Sequence, residues 1–191
     1  LIASSIYILN DYKDIEADRK HPEKKNRPLA NGSISKGFGL FLFVVLVSTV
    51  VVFVILGQEY FQKNLWKFAV IIGSYFVMNL AYTFKLKHVA IVDIFIIATG
   101  FVLRVLAGGY ATGIKISQWA ILLTFVLALV LAVGKRRGEL INAAISGKTR
   151  KALDGYNVQF ADIVLSISVT LAIICYLMFT LTPEVQERFG V

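Results

Sequence analysis

The sequence contains few of the residues from which the common catalytic and metal sites of soluble proteins are built. It has one cysteine, Cys175, and two histidines, His21 and His88. One cysteine excludes an intrachain disulfide, and two histidines far apart in the sequence are too few for a zinc site. The sequence shows no phosphate-binding P-loop, no dinucleotide fingerprint and no Ser-His-Asp or Cys-His nucleophile set. Catalysis by these residue sets is therefore not expected.

Charged residues are scarce as well. They make up 17% of the 191 residues, whereas 57% are hydrophobic and the mean hydropathy is +0.72; a soluble domain carries about 25% charged residues. The hydrophobic residues form runs that approach or reach the ~20 residues needed to cross a bilayer. These predicted spans cover residues 37–57, 66–82, 89–110, 117–134 and 160–181. The pattern predicts an all-α, multi-spanning transmembrane helical bundle that forms a single domain over residues 1–191.

The first residues of the chain are apolar but too few to span a membrane. Residues 1–9 precede the first charged segment, and the sequence does not begin with methionine. No predicted span resembles a removable signal peptide, because each is followed by more apolar sequence. We therefore expect residues 1–9 to be the end of a spanning helix, and the chain to be a piece of a longer protein that is incomplete at both ends.

Lysine and arginine are distributed unevenly between the segments that connect the predicted spans. Residues 10–36, 83–88 and 135–159 carry 15 of them, whereas the opposite connections and the C-terminal end carry 4. A bias that alternates with every crossing indicates that the positive segments lie in the cytoplasm. The formal net charge of +8 requires no nucleic-acid partner, because membrane topology and anionic ligands account for it.

The first positive segment also contains a regular row of acidic residues. Asp11, Asp14 and Asp18 are three and four residues apart, a spacing that places all three carboxylates on one face of a helix, with Asn10 directly before them. Their repulsion has to be compensated, and Mg²⁺ is the simplest candidate, since it binds carboxylates together with substrate phosphates. We therefore predict a catalytic, metal-binding role for the three aspartates and a substrate-binding role for Asn10. The alternative is a solvated loop whose charges pair with each other and anchor the topology.

The basic half of this segment follows directly. Lys24, Lys25 and Arg27 lie between Pro22 and Pro28, which limit the continuation of a helix, so we expect a fixed loop. Acidic side chains that hold a metal, beside basic side chains that hold phosphates, suit a diphosphate–Mg²⁺ substrate. We therefore predict that these three basic residues bind substrate.

Several stretches of the sequence resemble the UbiA superfamily of intramembrane prenyltransferases. Residues 10–18, NDYKDIEAD, fit its N-D-x-x-D-x-x-x-D motif, and residues 19–35, RKHPEKKNRPLANGSIS, are similar to the run that follows it. Residues 82–112, YTFKLKHVAIVDIFIIATGFVLRVLAGGYAT, and residues 132–140, AVGKRRGEL, resemble its decaprenyl-phosphate phosphoribosyltransferase branch. Members of the family have about nine helices. The resemblance therefore implies a fragment of a nine-helix bundle that lacks about one and a half helices at the start and about two at the end.

The other two positive segments add further candidate residues. Tyr82 and Lys87 lie where a predicted helix meets the cytoplasm, and Asp93 enters the next span, where an acid is costly and usually paired. Ordinary aromatic prenyltransferases of the superfamily carry a second acidic motif in the third segment, but this sequence has Lys135 and Arg136 there. A basic loop in that place argues for a second anionic ligand that is not chelated by metal. We predict that all five residues bind substrate; the alternative for the basic ones is to anchor the topology.

The resemblance implies a Mg²⁺-dependent phosphoribosyltransferase. Its donor would be 5-phosphoribosyl 1-diphosphate, its acceptor decaprenyl phosphate or a similar polyprenyl phosphate, and its product a precursor for cell-wall synthesis. The alternative is a conventional prenyltransferase, which uses the same first motif and moves a prenyl group from its diphosphate to a small aromatic acceptor. A transporter or lipid-phosphate-binding protein fits less well, because it would need midplane charges on broken helices. We expect a bacterial inner-membrane protein whose site faces the cytoplasm, with an oligomeric state that the sequence leaves open.

Overall fold

The computed structural model describes residues 1–57, 65–146 and 155–190, and every regular element in these ranges is helical. Two short 3₁₀ turns, Lys24–Asn26 and Leu86–His88, interrupt the connections between helices. The α-helices are α1 (Ile2–Arg19), α2 (Pro28–Asn31), α3 (Lys36–Leu56), α4 (Leu65–Phe84), α5 (Val92–Thr112), α6 (Gln118–Ser146), α7 (Val158–Thr180) and α8 (Pro183–Phe189).

The helices α3 to α7 are long and apolar enough to cross a membrane, which makes five candidate spans among the described residues. Each overlaps one of the apolar runs of the sequence, so the predicted all-α, multi-spanning fold is confirmed. The exposed large hydrophobic side chains are concentrated on α3 and α7. Such continuous apolar faces are unfavourable in water but suit contact with lipid.

One predicted boundary is wrong in an informative way. We expected residues 135–159 to form a loop after a span that ended at residue 134, but α6 continues without a break to Ser146. The stretch GKRRGEL is therefore helical. Lysine, arginine, glutamate and leucine are good helix formers, and the stretch has no proline to end the helix. Arg136 and Glu139 are consequently one helical turn apart on the same face of α6.

The first compact unit covers Leu1–Phe84. In it, α1 packs against α2, α3 and α4. The left-handed conformation at Gly32, with φ of 85°, ends α2, and the Ser35 hydroxyl caps α3 by accepting a hydrogen bond from the Phe38 N–H at 3.2 Å. Gly39 lets α3 approach α2, because a Cβ there would lie 2.9 Å from the Leu29 side chain. This unit holds the acidic row and the basic segment that follows it.

The second compact unit begins at Lys85. Its helix α6 packs against α5 and α7 around a core of five buried residues: Ile94, Ala132, Val133, Tyr156 and Ala161. The Asn157 side chain caps α7 by accepting a hydrogen bond from the Phe160 N–H at 2.7 Å. This unit holds Lys87, Asp93 and the basic stretch of α6.

Candidate functional site

The acidic row lies on α1, as its spacing predicts, and an arginine balances two of its three members. The Nη1 atom of Arg27 donates hydrogen bonds to Asp11 Oδ1 at 2.7 Å and to Asp18 Oδ2 at 2.9 Å. The Asp18 side chain is 6% exposed, whereas those of Asp11 and Arg27 are 29% and 36% exposed. We call these three residues the carboxylate–arginine cluster. One side of the cluster is buried, and the other is accessible to a ligand.

The basic segment folds back on α1 to place Arg27 there. Arg27 has an extended backbone and precedes Pro28, the first residue of α2, a position in which the missing N–H of proline costs no hydrogen bond. The Nε atom of Arg19 donates to the Ala30 carbonyl at 3.0 Å and so ties the end of α1 to α2. The Nδ1 atom of His21 accepts hydrogen bonds from the N–H groups of Glu23 and Lys24. These contacts produce the fixed segment that the two prolines predict.

The cluster fits a metal held by two carboxylates. In residues 1–57, 65–146 and 155–190, no group of three His, Cys, Asp or Glu side chains is placed to hold a metal ion. The three aspartates therefore do not form a ready-made cage. Oxygens of Asp11 and Asp18 nevertheless converge on one nitrogen of Arg27, so this partly exposed arginine holds the point between the two carboxylates, and a metal ion would bind there only if Arg27 turned away. Mg²⁺ is usually bound by one or two carboxylates and completed by water and substrate phosphates, which matches this pair.

The environment of Asp11 disfavours the charged form of its carboxyl. Burial raises the pKa of the Asp11 carboxyl above its usual range, and the nearby Asp18 and Asp14 raise it further, whereas Arg27 and a hydrogen bond from Asn10 lower it. The charged form of Asp11 is thus only partly compensated by its protein neighbours. A divalent cation near this carboxylate would supply the missing compensation.

The other predicted residues of the first unit lie on α1, in the 3₁₀ turn and on α4. Asn10 bonds the Asp11 side chain, and the half-buried Asp14 lies about one helical turn from both cluster aspartates. Lys24 and Lys25 lie in the 3₁₀ turn, where Lys25 is exposed and Lys24 is half-buried. Tyr82 is half-buried near the end of α4.

The second unit contains a network of buried ion pairs. Asp93, in the first turn of α5, is fully buried and accepts a hydrogen bond from Arg136 Nε at 2.7 Å. The Nη1 atom of Arg136 donates to Glu139 Oε2 at 2.6 Å, one turn further along α6. Tyr156 completes the network, because its hydroxyl donates to Asp93 Oδ1 at 2.6 Å. We call these four residues the buried network; it gives Asp93 the partner that an acid entering a span requires.

Sequence reasoning did not identify Tyr156. The residue precedes α7 between Gly155 and Asn157, and its partners lie 63 and 65 residues earlier in the chain. Its hydroxyl also accepts a hydrogen bond from the Ile91 N–H at 2.7 Å. Burial raises the pKa of Tyr156, and its hydrogen bond to Asp93 adds to the rise. The hydroxyl therefore stays protonated at neutral pH and donates to the carboxylate.

The basic residues of α6 differ in their surroundings. The Arg136 side chain is 5% exposed and engaged by two carboxylates, which favours a structural role; its predicted contact with substrate remains untested. Lys135 is exposed, and Arg137 forms a surface ion pair with Asp162. Lys87 is only 9% exposed, in the 3₁₀ turn before α5. Lys135 is therefore the basic side chain of α6 with most access to a ligand.

The structure thus gathers the predicted residues into two sets. Asp11, Asp18 and Arg27 meet in the first unit, with Asn10 against Asp11. Asp93 and Arg136 meet in the second. The roles assigned to all of these residues from the sequence remain predictions.

Comparison with known proteins gives several relatives that share one name. The chain is 39% identical over 178 residues to the decaprenyl-phosphate phosphoribosyltransferase of Mycolicibacterium smegmatis, which covers 92% of this chain and 54% of that protein. It is 35% identical to the protein of the same name from Corynebacterium glutamicum, over 93% of this chain and 52% of the relative. The corresponding Mycobacterium tuberculosis protein is 37% identical, over 92% and 56%. The chain therefore spans about half the length of the curated relatives it matches.

A family model gives a broader assignment. The UbiA prenyltransferase family matches residues 1–137, a range that includes the carboxylate–arginine cluster and reaches Arg136. With five apolar helices of spanning length, the chain is an integral membrane protein. The resemblance seen in the sequence motifs is confirmed, and the chain belongs to the UbiA prenyltransferase family.

Proposed function

We propose that this chain is the catalytic part of a phosphoribosyltransferase that uses a polyprenyl phosphate as acceptor. The observation that carries the proposal is the identity of 35–39%, over more than 90% of the chain, to relatives named decaprenyl-phosphate phosphoribosyltransferase. The family match over residues 1–137 includes the carboxylate–arginine cluster together with Asp93 and Arg136. The donor in this proposal is 5-phosphoribosyl 1-diphosphate, and the product supplies cell-wall synthesis.

The carboxylate–arginine cluster is the proposed donor site. Asp11 and Asp18 would hold Mg²⁺, with Asp14 on the same face of α1 as a third carboxylate nearby. When bound, the metal supplies charge neutralisation for the diphosphate leaving group. Lys25 and Arg27 are the nearby cations for the phosphate oxygens, and charge-assisted hydrogen bonds from such groups are the strong ones. Preorganised positive charge at a leaving pyrophosphate is a large source of rate enhancement.

The acceptor needs no general base in this reaction. A polyprenyl phosphate is already ionised at neutral pH, so its oxygen can attack the anomeric carbon as pyrophosphate departs. The protein must instead hold two anions close together against their repulsion. Lys87 and Lys135 are the proposed cations for the acceptor phosphate or the 5-phosphate. The positive-inside pattern supports a site on the cytoplasmic face of a bacterial inner membrane.

The conventional prenyltransferase is the second candidate, because the family as a whole bears that name. The buried network argues against it. The second acidic motif of ordinary prenyltransferases would fall in the stretch of α6 where this chain has Glu139. Arg136 bridges Glu139 and Asp93 and is only 5% exposed, so, unlike the partly exposed Arg27, it is not free to turn away for a second metal. The phosphoribosyl reaction is therefore the better supported of the two.

A transfer assay tests the proposal. Protein purified in detergent, with Mg²⁺ and polyprenyl phosphate, is given phosphoribosyl diphosphate labelled in the ribose. We expect label in an extractable lipid, and none after chelation of the metal. A preparation that binds lipid and remains folded but labels none would contradict the proposal. Prenyl diphosphate with an aromatic acid, offered in a parallel reaction, identifies the alternative.

A further inference from the structure

Two connecting segments of the second unit dock against each other at consecutive residues. Gly155 lies against Ala90 so closely that a Cβ added to Gly155 would be 2.4 Å from the Ala90 Cβ. The next residue, Tyr156, accepts the N–H of Ile91 with its hydroxyl at 2.7 Å. The segment before α7 is therefore fitted to the segment before α5 by both shape and a hydrogen bond.

The backbone at the point of contact is strained. Ile91 has φ of 68° and ψ of −48°, and within the described ranges it is the one residue other than glycine with a positive φ. A β-branched side chain at positive φ is a genuine outlier, and such residues persist only where the surroundings hold them. The Tyr156 hydroxyl holds Ile91 by a hydrogen bond, and Gly155 packs against the neighbouring Ala90. Strain of this kind gathers at functional sites.

Backbone hydrogen bonds link the turn that carries Lys87 to the first turn of α5, on either side of the strained residue. The His88 N–H bonds the Lys85 carbonyl at 3.3 Å, and the Val89 N–H bonds the Leu86 carbonyl at 3.1 Å. The Asp93 N–H then bonds the Val89 carbonyl at 3.2 Å. The turn and the start of α5 thus form one continuous hydrogen-bonded segment, which runs from Lys85 to Asp93 and contains both Lys87 and Ile91.

We propose that Tyr156 is a positioning residue that acts through Ile91 to set the place of Lys87, and through it the binding of one anionic substrate group. This inference rests on the proposed function. Tyr156 serves two partners at once, since its hydroxyl also donates to the fully buried Asp93. Its aromatic ring packs separately, against Phe160 with 6.0 Å between ring centroids. Removing the hydroxyl therefore removes its contacts with Ile91 and Asp93 and leaves the ring in the core.

The test compares two variants with a matched control. Tyr156→Phe deletes the hydroxyl, and Gly155→Ala disturbs the same contact by adding a Cβ against Ala90. Tyr176→Phe deletes a hydroxyl from α7 at a side chain that is 56% exposed, and serves as the control. For each protein we measure the KM of both substrates, kcat per folded molecule, and amide exchange over residues 85–93.

The positioning role predicts a selective effect. In Tyr156→Phe and Gly155→Ala, amides of residues 88–92 should exchange faster than in the parent. The KM of one substrate should rise about tenfold, the loss expected when one charge-assisted contact is weakened, while the KM of the other stays unchanged. The control should match the parent in every measurement. A substitution that places a charge at position 156, such as Tyr156→Lys, is unsuitable because it would also disrupt the core of the second unit.

Other outcomes overturn the inference in recognisable ways. Unchanged exchange over residues 88–92 in Tyr156→Phe would show that the hydroxyl does not hold Ile91. Faster exchange with a smaller folded fraction, but with both KM values at the parental level, would show a merely structural residue. A folded parent that transfers no phosphoribosyl group would refute the proposed function itself, and that result is seen before any variant is made.

Discussion

Replacing Arg136 with glutamine removes the cation that neutralises a fully buried acid. The Asp93 side chain is 0% exposed and the Arg136 side chain 5% exposed, so neither charge is solvated in the folded protein. Without Arg136, Asp93 keeps the hydrogen bond from Tyr156 but loses its counter-charge. We therefore expect Arg136→Gln to destabilise the fold, beyond any effect on substrate.

The size of the effect follows from burial. Removing one partner of a buried ion pair costs about 3–5 kcal/mol, because the remaining charge is left uncompensated in a medium of low polarity. The loss of the ion pair between Arg136 and Glu139 lowers stability less, because the Glu139 side chain is 24% exposed and partly solvated. For a chain of this length, each kcal/mol lowers Tm by about 2–4 °C, so Tm should fall by roughly 6–20 °C.

Thermal unfolding of the purified protein in one detergent checks this value. Lys135→Gln is the matched control, because it removes the same charge from the neighbouring, exposed position and should cost only about 0.5 kcal/mol. Adding Asp93→Asn to Arg136→Gln removes the uncompensated charge and should restore part of the stability. The reasoning is refuted if Arg136→Gln lowers Tm no more than Lys135→Gln does.

Three further predictions concern the other side chains of the two sets. Arg27→Gln should lower stability by only about 1 kcal/mol, because its ion pairs are partly exposed; a loss as large as that of the buried pair, or one matched by Lys20→Gln, would contradict the described cluster. The raised pKa of Tyr156 means that its stabilising effect is present below the ordinary tyrosine pKa of about 10 and is lost as pH rises toward the raised value. The tyrosinate absorbance that the parent shows and Tyr156→Phe lacks should therefore appear only above pH ~10. Its appearance at or below pH ~10 would count against a buried hydroxyl at Tyr156. Asp14→Asn should abolish turnover while Tm stays near the parental value, since it removes charge at constant size; retained turnover would mean that the acidic row does not serve the metal.

Features that depend on short stretches of sequence were predictable. The helical face of Asp11, Asp14 and Asp18 follows from their spacing, and α1 does carry all three. The need of Asp93 for a partner follows from the cost of burying an acid. The five apolar runs give the spans, because length and composition alone decide whether a helix can cross a bilayer.

Features that depend on distant partners were not predictable. Arg136 lies 43 residues from Asp93, and Tyr156 lies 63 residues from it, so no spacing rule connects them. The bridge from Arg27 to two aspartates depends on the path of the chain between Pro22 and Pro28, which prolines restrict but do not define. The helical state of GKRRGEL was missed because its charges were interpreted as a loop, although its residues are helix formers.

The most direct test of the proposed reaction offers both possible reactions to the protein at once. One tube contains ribose-labelled phosphoribosyl diphosphate with polyprenyl phosphate, and prenyl diphosphate carrying a second label with an aromatic acid, in the presence of Mg²⁺. We predict that the ribose label enters lipid, that this transfer stops when the metal is chelated or Asp14 is changed to Asn, and that the prenyl label stays in its diphosphate. Transfer of the prenyl label to the aromatic acid, with no ribose label in lipid, would contradict the account.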